Sequence, residues 1–210
     1  MNTVAPVTRA LIVAAASISF IGCRHLGSPE QQYGSGNYPA ANPAASRTIT
    51  IRGEISPTLE LSLSARYVGK VSADCWTSAP YSAGGFEGSA RPLQVTIPLP
   101  LARSGEQYTS SFVVDRFLPG RCGWHFALVL AEVHKGKATS GPTVFIQSFE
   151  SGRSMETKVI NSSRDPVTLR CRMLTTSSPS CLPPFGTKSS QWLTDTSQTV
   201  EANIVDSEEQ

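Results

Sequence analysis

The chain has few residues of the kinds that carry out catalysis or bind nucleic acid. Of its 210 residues only 16% are charged, the formal net charge is +2 at pH 7, and there are three histidines. Lys and Arg are scattered and form no basic run, so we exclude nucleic acid as a partner. The sequence also lacks H-E-x-x-H, G-x-S-x-G, G-x-x-x-x-G-K-[ST] and G-x-G-x-x-G. We therefore expect a protein that is not an enzyme and that has no cofactor.

No apolar run is long enough for an ordinary membrane-spanning helix, which needs roughly 20 residues. The longest run covers residues 10–22, follows Arg9, and is followed directly by Cys23. A positive side chain followed by about a dozen apolar and small residues is typical of a signal peptide. We predict a signal peptide over residues 1–22, and hence an exported protein.

The abundance of Ser, Thr, Gly and Pro and the low charge favour a β-rich exported protein. Apolar and polar residues alternate over residues 48–52, 59–64, 93–99 and 167–173, which is the pattern of half-buried antiparallel strands. Further strands are predicted at Tyr108–Phe117, Thr143–Phe149 and Met155–Ile160, with weaker candidates near Cys75 and Val200. Pro98 cannot donate to a ladder, so its strand is expected at an edge or to end there.

The segment Trp124–Val133 is apolar at both parities. Such a run is either a central strand covered on both faces or a short buried helix. Because Pro119-Gly120 and Gly136 bound it at strand length, we favour a central strand. Seven to nine short strands separated by Gly, Pro and Ser predict an all-β fold, an antiparallel β-sandwich.

The predicted sandwich spans residues 47–206. Residues 23–46 contain several glycines and prolines and almost no aliphatic side chain, so we expect a flexible tether there. Tyr33 and Tyr38 within it could be small docking points, although solvated side chains are favoured. Residues 207–210 are expected to form a disordered acidic tail.

The sequence Phe20-Ile21-Gly22-Cys23 resembles the lipobox of bacterial lipoproteins. This resemblance implies that Cys23 is lipidated and becomes the first residue of a mature protein anchored in a membrane of the bacterial envelope. In that family an Asp after the cysteine retains some members at the inner membrane. Arg24 stands there instead, which favours the outer membrane. The alternative is an ordinary secretory signal whose apolar run happens to end in a cysteine.

The chain has five cysteines, an odd number that calls for explanation in an exported protein. Lipidation of Cys23 would leave Cys75, Cys122, Cys171 and Cys181 to form disulfides in an oxidising compartment. Four cysteines allow three connectivities, of which we prefer Cys75–Cys122 and Cys171–Cys181 because the second pair brackets a Thr/Ser/Pro loop. No metal site is expected, since there is no C-x₂-C pair.

The segment Phe117-Leu118-Pro119-Gly120-Arg121-Cys122-Gly123-Trp124 resembles the turn that leads into a strand in transthyretin-like and carboxypeptidase-regulatory-like β-sandwiches. This resemblance implies a sandwich of that kind, with an immunoglobulin-like sandwich as the other option, and no particular function. Trp76 and Trp124 flank the preferred Cys75–Cys122 bridge, and we expect them to pack against it.

Candidate functional residues are few. His25 lies in the tether, His125 lies within the apolar run and is expected to be a packed histidine, and His134 is expected in solvent. Asp74 and Asp115 are possible site carboxylates, although turn or surface roles are favoured. A long loop, residues 78–91, with Tyr81 and Phe86, together with the later Trp192, could form a binding surface, although a merely mobile loop is favoured.

Three functions remain open at this level. The favoured hypothesis is a non-enzymatic envelope lipoprotein that presents a sandwich for binding a protein or a ligand. The others are an envelope hydrolase with an unrecognised site and an accessory structural subunit of an envelope assembly. The expected partners are the membrane, through the lipid anchor, and an envelope protein.

Overall fold

A computed structural model describes residues 31, 36–70, 72, 74–78, 90–151, 154–159, 167–172, 179–182, 191–193 and 197–207. Strands are the regular structure of these residues, and no helix occurs among them. The strands in chain order are β1 (Thr48–Glu54), β2 (Glu60–Val68), β3 (Trp76–Ser78), β4 (Ala90–Pro92), β5 (Gln94–Leu99), β6 (Leu101–Ser104), β7 (Gln107–Val113), β8 (His125–Lys135), β9 (Ala138–Thr139), β10 (Thr143–Ser151), β11 (Ser154–Val159), β12 (Val167–Arg172), β13 (Ser180–Leu182), β14 (Gln191–Leu193) and β15 (Ser197–Asp206).

Two large sheets form the fold. One sheet has six strands in the order β13-β12-β15-β1-β7-β6, and the other has β14-β11-β10-β8-β2-β5 with β9 added beside β8. β3 and β4 pair separately as a short hairpin. The predicted all-β sandwich is therefore confirmed. The alternating segments lie on β1, β2, β5 and β12 as expected, with Leu59 and Leu93 just before their strands and Met173 outside the described residues.

Strand direction differs between the sheets. The seven-stranded sheet is antiparallel throughout its described pairs, as predicted. In the six-stranded sheet β15 lies between β1 and β12 and runs parallel to both. Alternation along a strand shows which face is buried but does not show the direction of its neighbour, so the sequence pattern did not predict this mixed pairing.

The buried apolar side chains of both sheets form one core. Ile49, Ile51 and Phe112 face it from the six-stranded sheet, and Tyr67, Phe126 and Val129 face it from the other. The rings of Phe112 and Phe126 lie 4.9 Å apart between the sheets. Burial of each such side chain stabilises the fold by roughly 1.5–3 kcal/mol before the conformational entropy is counted.

The apolar run 124–133 is a central strand, as predicted. β8 lies between β2 and β10, and Phe126, Val129, Ala131 and Val133 are buried on its inner face. Trp124 just before it is 4% exposed and packs near Gly69. The side chain of Trp76 lies outside the described residues.

A single bent segment forms one border of both sheets. β5 is the edge strand of the seven-stranded sheet and β6 is the edge strand of the six-stranded sheet, and only Pro100 separates them. Ser110 Oγ donates a hydrogen bond to the Pro100 carbonyl at 2.9 Å, which fixes the crossing. The edge position predicted for Pro98 is confirmed, because β5 pairs with β2 alone among the described strands.

Both preferred disulfides are present. Cys75–Cys122 joins the segment before β3 to the turn before β8, and its Cα atoms are 5.4 Å apart. Cys171–Cys181 joins directly opposed residues of β12 and β13, with Cα atoms 4.0 Å apart. The first bridge closes 47 residues and the second only 10, so the first constrains the unfolded chain more strongly.

The folded unit begins earlier than the expected boundary at residue 47. Residues 36–47, here called the strap, lie against residues 113–118: Ala41 forms a bridge with Phe117, and the N–H of Asn42 donates to the Arg116 carbonyl. The Tyr38 ring meets Phe117 edge-on at 6.0 Å and packs against the core, so Tyr38 is a docking point and the favoured expectation of a solvated side chain is wrong. The predicted strand 108–117 is correspondingly shorter, because β7 ends at Val113 and a turn follows.

The remaining boundaries fall partly outside the described residues. The signal peptide, Cys23 and residues 24–30 and 32–35 of the expected tether are not among them. Of the expected acidic tail only Ser207 is described. Its N–H and its hydroxyl both donate to the Cys171 carbonyl at 2.9 Å, so this residue is held by the sheet.

Candidate binding site

The six-stranded sheet is interrupted at one point, between β1 and β15. A Cβ placed on Gly53 would lie 1.7 Å from the Ala202 carbonyl oxygen, so this oxygen occupies the space that a side chain would fill. The N–H of Glu54 bonds to Asn203 Oδ1 at 3.0 Å. The side chain of Asn203 therefore takes a place in the ladder, and only glycine fits opposite the displaced carbonyl.

Tyr108 on β7 provides a hydrogen bond for the displaced carbonyl of Ala202. Its side chain crosses the inner face of the sheet, and its hydroxyl donates to the Ala202 carbonyl at 2.8 Å. The residue is 3% exposed, and burial raises the pKa of its phenol well above the ordinary value. The phenol consequently remains protonated and keeps its donor for the carbonyl, which would otherwise be buried without a partner.

A depression of 380 Å³ opens over the interruption. Its lining is polar: the Arg52 guanidinium and the Glu201 carboxylate form an ion pair of 2.5 Å, and Glu54, Gln107, Thr109 and Asn203 add a carboxylate, a hydroxyl and two amides. Gly53 and Tyr108 complete the lining. Arg52 and Glu201 are 58% and 45% exposed in their side chains, so solvent screens the pair and it adds little stability.

The chemistry of this depression suits hydrogen bonding to a polar partner. It offers carboxylate acceptors, guanidinium and amide donors, and one hydroxyl side by side on a rigid sheet. Glu54 and Glu201 are the acidic groups of its lining, and the Glu201 carboxylate is held in the ion pair with Arg52. Sites on strands are held more precisely than sites on loops, which favours recognition of a defined shape.

One serine and one histidine meet on the other sheet. Ser62 Oγ on β2 lies 3.3 Å from His134 Nε2 on β8, and His134 Nδ1 lies 3.0 Å from Thr139 Oγ1. In serine hydrolases a buried carboxylate orients the histidine and stabilises its charged form. A solvent-exposed threonine hydroxyl does not supply that charge, so we interpret these contacts as a surface hydrogen-bond chain.

His125 and Asp115 lie together beside the strap, where they line a small depression of 230 Å³ with Phe117, Trp124 and others. The Asp115 carboxylate accepts the N–H groups of Ser46 and Arg47 at 3.0 and 2.9 Å. His125 Nδ1 lies 2.9 Å from the Gly123 carbonyl. Both side chains thus hold backbone in place.

The other candidate residues contribute little to a site. Asp74 is exposed in a turn next to the Cys75–Cys122 bridge. Trp192 lies on β14 opposite Lys158, but its side chain is outside the described residues. Tyr81, Phe86 and His25 also fall outside them. The proposed aromatic binding surface therefore stays a prediction.

The residues of the polar depression were missed by the sequence reasoning. The available signal was Gly53, because a glycine within the alternation of β1 suggests a bulge or a close backbone approach. Asn203 and Tyr108 carry no local signal, since their roles depend on β15 and β7 pairing on opposite sides of β1.

Within the described ranges, no group of three or more His, Cys, Asp or Glu side chains is arranged to hold a metal ion. The same residues contain no helix that is long and apolar enough to cross a membrane. Comparison with protein-family models, curated proteins and solved structures gives no match for this chain.

Proposed function

We propose that this chain is a non-enzymatic lipoprotein of the bacterial envelope. Lipid on Cys23 anchors it, preferably in the outer membrane, and the sandwich presents a surface that binds an envelope protein or a polar ligand. The lipobox-like residues 20–23 are the sequence basis of the proposal.

The cysteine pairing is the observation that best supports the proposal. The two disulfides use four of the five cysteines, and the one remaining is Cys23, directly after the apolar run. Disulfides form and persist in oxidising compartments, which supports export. Lipidation of Cys23 would remove its thiol, which could otherwise exchange with the two disulfides.

The polar depression over Gly53 supports the binding role. Its ion pair, its amides and its exposed Glu54 lie on a rigid sheet, whose irregularity at Gly53 is itself held by buried hydrogen bonds. Interruptions of a ladder often re-aim groups at functional sites. A protein partner with a small polar projection, or a small polar ligand, would fit this lining.

Replacement of Cys23 by Ser tests the anchor. We expect the variant to leave the membrane fraction, whereas the matched Ser28→Ala variant should remain there. Mass spectrometry of the mature amino terminus should find acyl groups on Cys23. Retention of the Cys23→Ser protein in the membrane, or an unacylated parent, would contradict lipid anchoring.

The binding role is tested by crosslinking in whole cells with Glu54→Ala/Gln107→Ala. A specific partner should be crosslinked by the parent and lost in this variant. The matched control is Glu60→Ala/Ser62→Ala, which changes two exposed residues of the other sheet. If the partner is crosslinked equally to both variants, the depression is not its binding site.

A hydrolase is the second candidate, and the contact between Ser62 and His134 is the observation in its favour. Ester, glycoside and peptide substrates should be offered to the parent, to Ser62→Ala and to His134→Ala. Turnover by the parent that both substitutions abolish would establish the hydrolase and displace the binding role.

A further inference from the structure

The depression of 230 Å³ beside the strap differs in character from the polar depression over Gly53, and it is here called the strap pocket. Its lining is mostly apolar and contains the rings of Phe117, Trp124, His125 and Phe126 with the side chains of Val114 and Pro119. Sites for drug-sized ligands usually measure about 300–1,000 Å³, whereas an apolar cavity of about 150 Å³ is large enough for benzene. The strap pocket is therefore of the size of one aromatic ring with small substituents.

The walls of the strap pocket are held in place by contacts within the fold. The Phe117 ring packs edge-on against the Tyr67 ring at 5.0 Å, and the Tyr67 ring packs against that of Phe126 at 5.9 Å. The N–H of Trp124 donates to the Pro119 carbonyl at 2.8 Å, which closes the turn between these two lining residues. Apolar walls that are formed before the ligand arrives are usual in small-molecule sites.

The charges of the lining favour a neutral ligand. Apart from the titratable His125, the lining carries one formal positive charge on Arg47 and one formal negative charge on Asp115. The Asp115 carboxylate already accepts the N–H groups of Ser46 and Arg47 at 3.0 and 2.9 Å. Asn42 Nδ2 donates to the backbone carbonyl of Asp115 at 2.8 Å. These polar groups hold the strap, and their charges balance.

His125 supplies a hydrogen-bond acceptor to the strap pocket. Its Nδ1 lies 2.9 Å from the Gly123 carbonyl oxygen, which can only accept, so Nδ1 carries the proton. In the neutral ring Nε2 then has a lone pair. No group of the described residues donates a hydrogen bond to Nε2. A ligand with one donor would therefore find its partner there.

We propose that the strap pocket binds a small neutral aromatic molecule that has one hydrogen-bond donor, of which phenol is the simplest. The ring lies among the aromatic walls, and the hydroxyl donates to Nε2 of His125. Aromatic rings pack favourably edge-on or offset against one another, and a polar atom in an apolar recess gains from a partner. This site depends neither on the lipid anchor nor on the polar depression over Gly53, so each of the three can fail alone.

Phenol and toluene together test the proposal, because toluene has nearly the same shape with a methyl group in place of the hydroxyl. Residues 23–210 with Cys23→Ser are titrated with each compound, and binding is followed by NMR. We expect phenol to bind with a dissociation constant on the order of 1 mM, which the small size of the ligand allows. In His125→Asn the ratio of phenol affinity to toluene affinity should fall about fivefold, because one hydrogen bond is lost.

The substitution His125→Asn is chosen because its amide can still donate to the Gly123 carbonyl but has no atom at the position of Nε2. The matched control is His134→Asn, the same change at a histidine of β8 that does not line the strap pocket. It should bind both compounds like the parent. If circular dichroism shows that His125→Asn fails to fold, nuclear Overhauser contacts between phenol and the rings of Trp124 and His125 in the parent decide the question. Their presence supports the site and their absence overturns it.

Three results would overturn the proposal. The first is a parent protein that binds phenol more weakly than about 10 mM. The second is an equal loss of phenol and toluene affinity in His125→Asn, which would mean that the ring of His125 only shapes the pocket. The third is tighter binding of a tyrosine-containing peptide than of phenol, which would assign the strap pocket to a side chain of a partner protein.

Discussion

Replacement of Gly53 by Ala is the sharpest test of how the sheet interruption is held. The new Cβ would lie 1.7 Å from the Ala202 oxygen and 2.5 Å from its carbon, both of them backbone atoms. A flexible side chain could swing away from such a contact, but here the Ala202 peptide itself must move. That movement breaks the hydrogen bond from Tyr108 and strains the bond between Glu54 and Asn203.

The expected loss of stability can be estimated from these contacts. Overpacking in a closed site costs about 1–3 kcal/mol, and each lost hydrogen bond adds about 1 kcal/mol. We therefore expect Gly53→Ala to lower the free energy of unfolding by about 2–5 kcal/mol, depending on whether the strained Glu54–Asn203 bond is also lost. For a domain of this size the melting midpoint should fall by about 10 °C.

Urea unfolding followed by tryptophan fluorescence measures the effect. Gly141→Ala is the matched control, because a Cβ there meets nothing within 4 Å, and it should change stability by less than about 1 kcal/mol. Tyr108→Phe should cost about 1 kcal/mol alone and almost nothing in the Gly53→Ala background, since both changes act on one carbonyl. A Gly53→Ala protein within about 1 kcal/mol of the parent, or additive losses, would refute this reasoning.

Three further predictions concern stability. Cys75→Ala/Cys122→Ala should destabilise by several kcal/mol and Cys171→Ala/Cys181→Ala by less, as read from urea midpoints, because the first bridge closes the longer loop. A chain beginning at Arg47 should melt more than about 5 °C below one beginning at Gly36, because it lacks the Tyr38–Phe117 contact and the strap hydrogen bonds; equal midpoints would contradict docking of the strap. The free energy of unfolding should fall as pH rises above about 10. Burial raises the pKa values of Tyr67 and Tyr108 in the folded chain, so the phenols of the unfolded chain lose their protons first and the unfolded state is favoured. Urea midpoints should show a shallower decline with pH for Tyr108→Phe than for the parent.

The features of the fold that depend on burial of apolar side chains were predictable from the sequence. Alternation identified the strands because the inner face of each sheet must be apolar, and the doubly apolar run at 124–133 indicated the central strand β8. Pro98 indicated an edge through its missing N–H. The disulfide pairing followed from the short loop between Cys171 and Cys181, which fixed the other pair by elimination.

Features held by hydrogen bonds between distant backbone segments were not predictable in this way. The strap is poor in aliphatic residues, so its composition resembles that of a free tether, yet Asp115 and the Arg116 carbonyl hold it from 68 or more residues away. The candidate site likewise depends on Gly53, Tyr108 and Asn203 meeting across three strands. Gly53 within the alternation of β1 suggests a close backbone approach, but nothing near Tyr108 or Asn203 in the sequence indicates that they meet it.

The position of β15 has a consequence for the order of folding. This strand lies between β1 and β12, and its pairing with β1 joins residues 149 positions apart, for example Arg52 with Glu201. Until β15 arrives, β1 has only β7 beside it, and β12 has only β13. Closing so long a loop is entropically costly and slows folding. The six-stranded sheet therefore cannot be complete until residues 197–206 have joined β1 and β12.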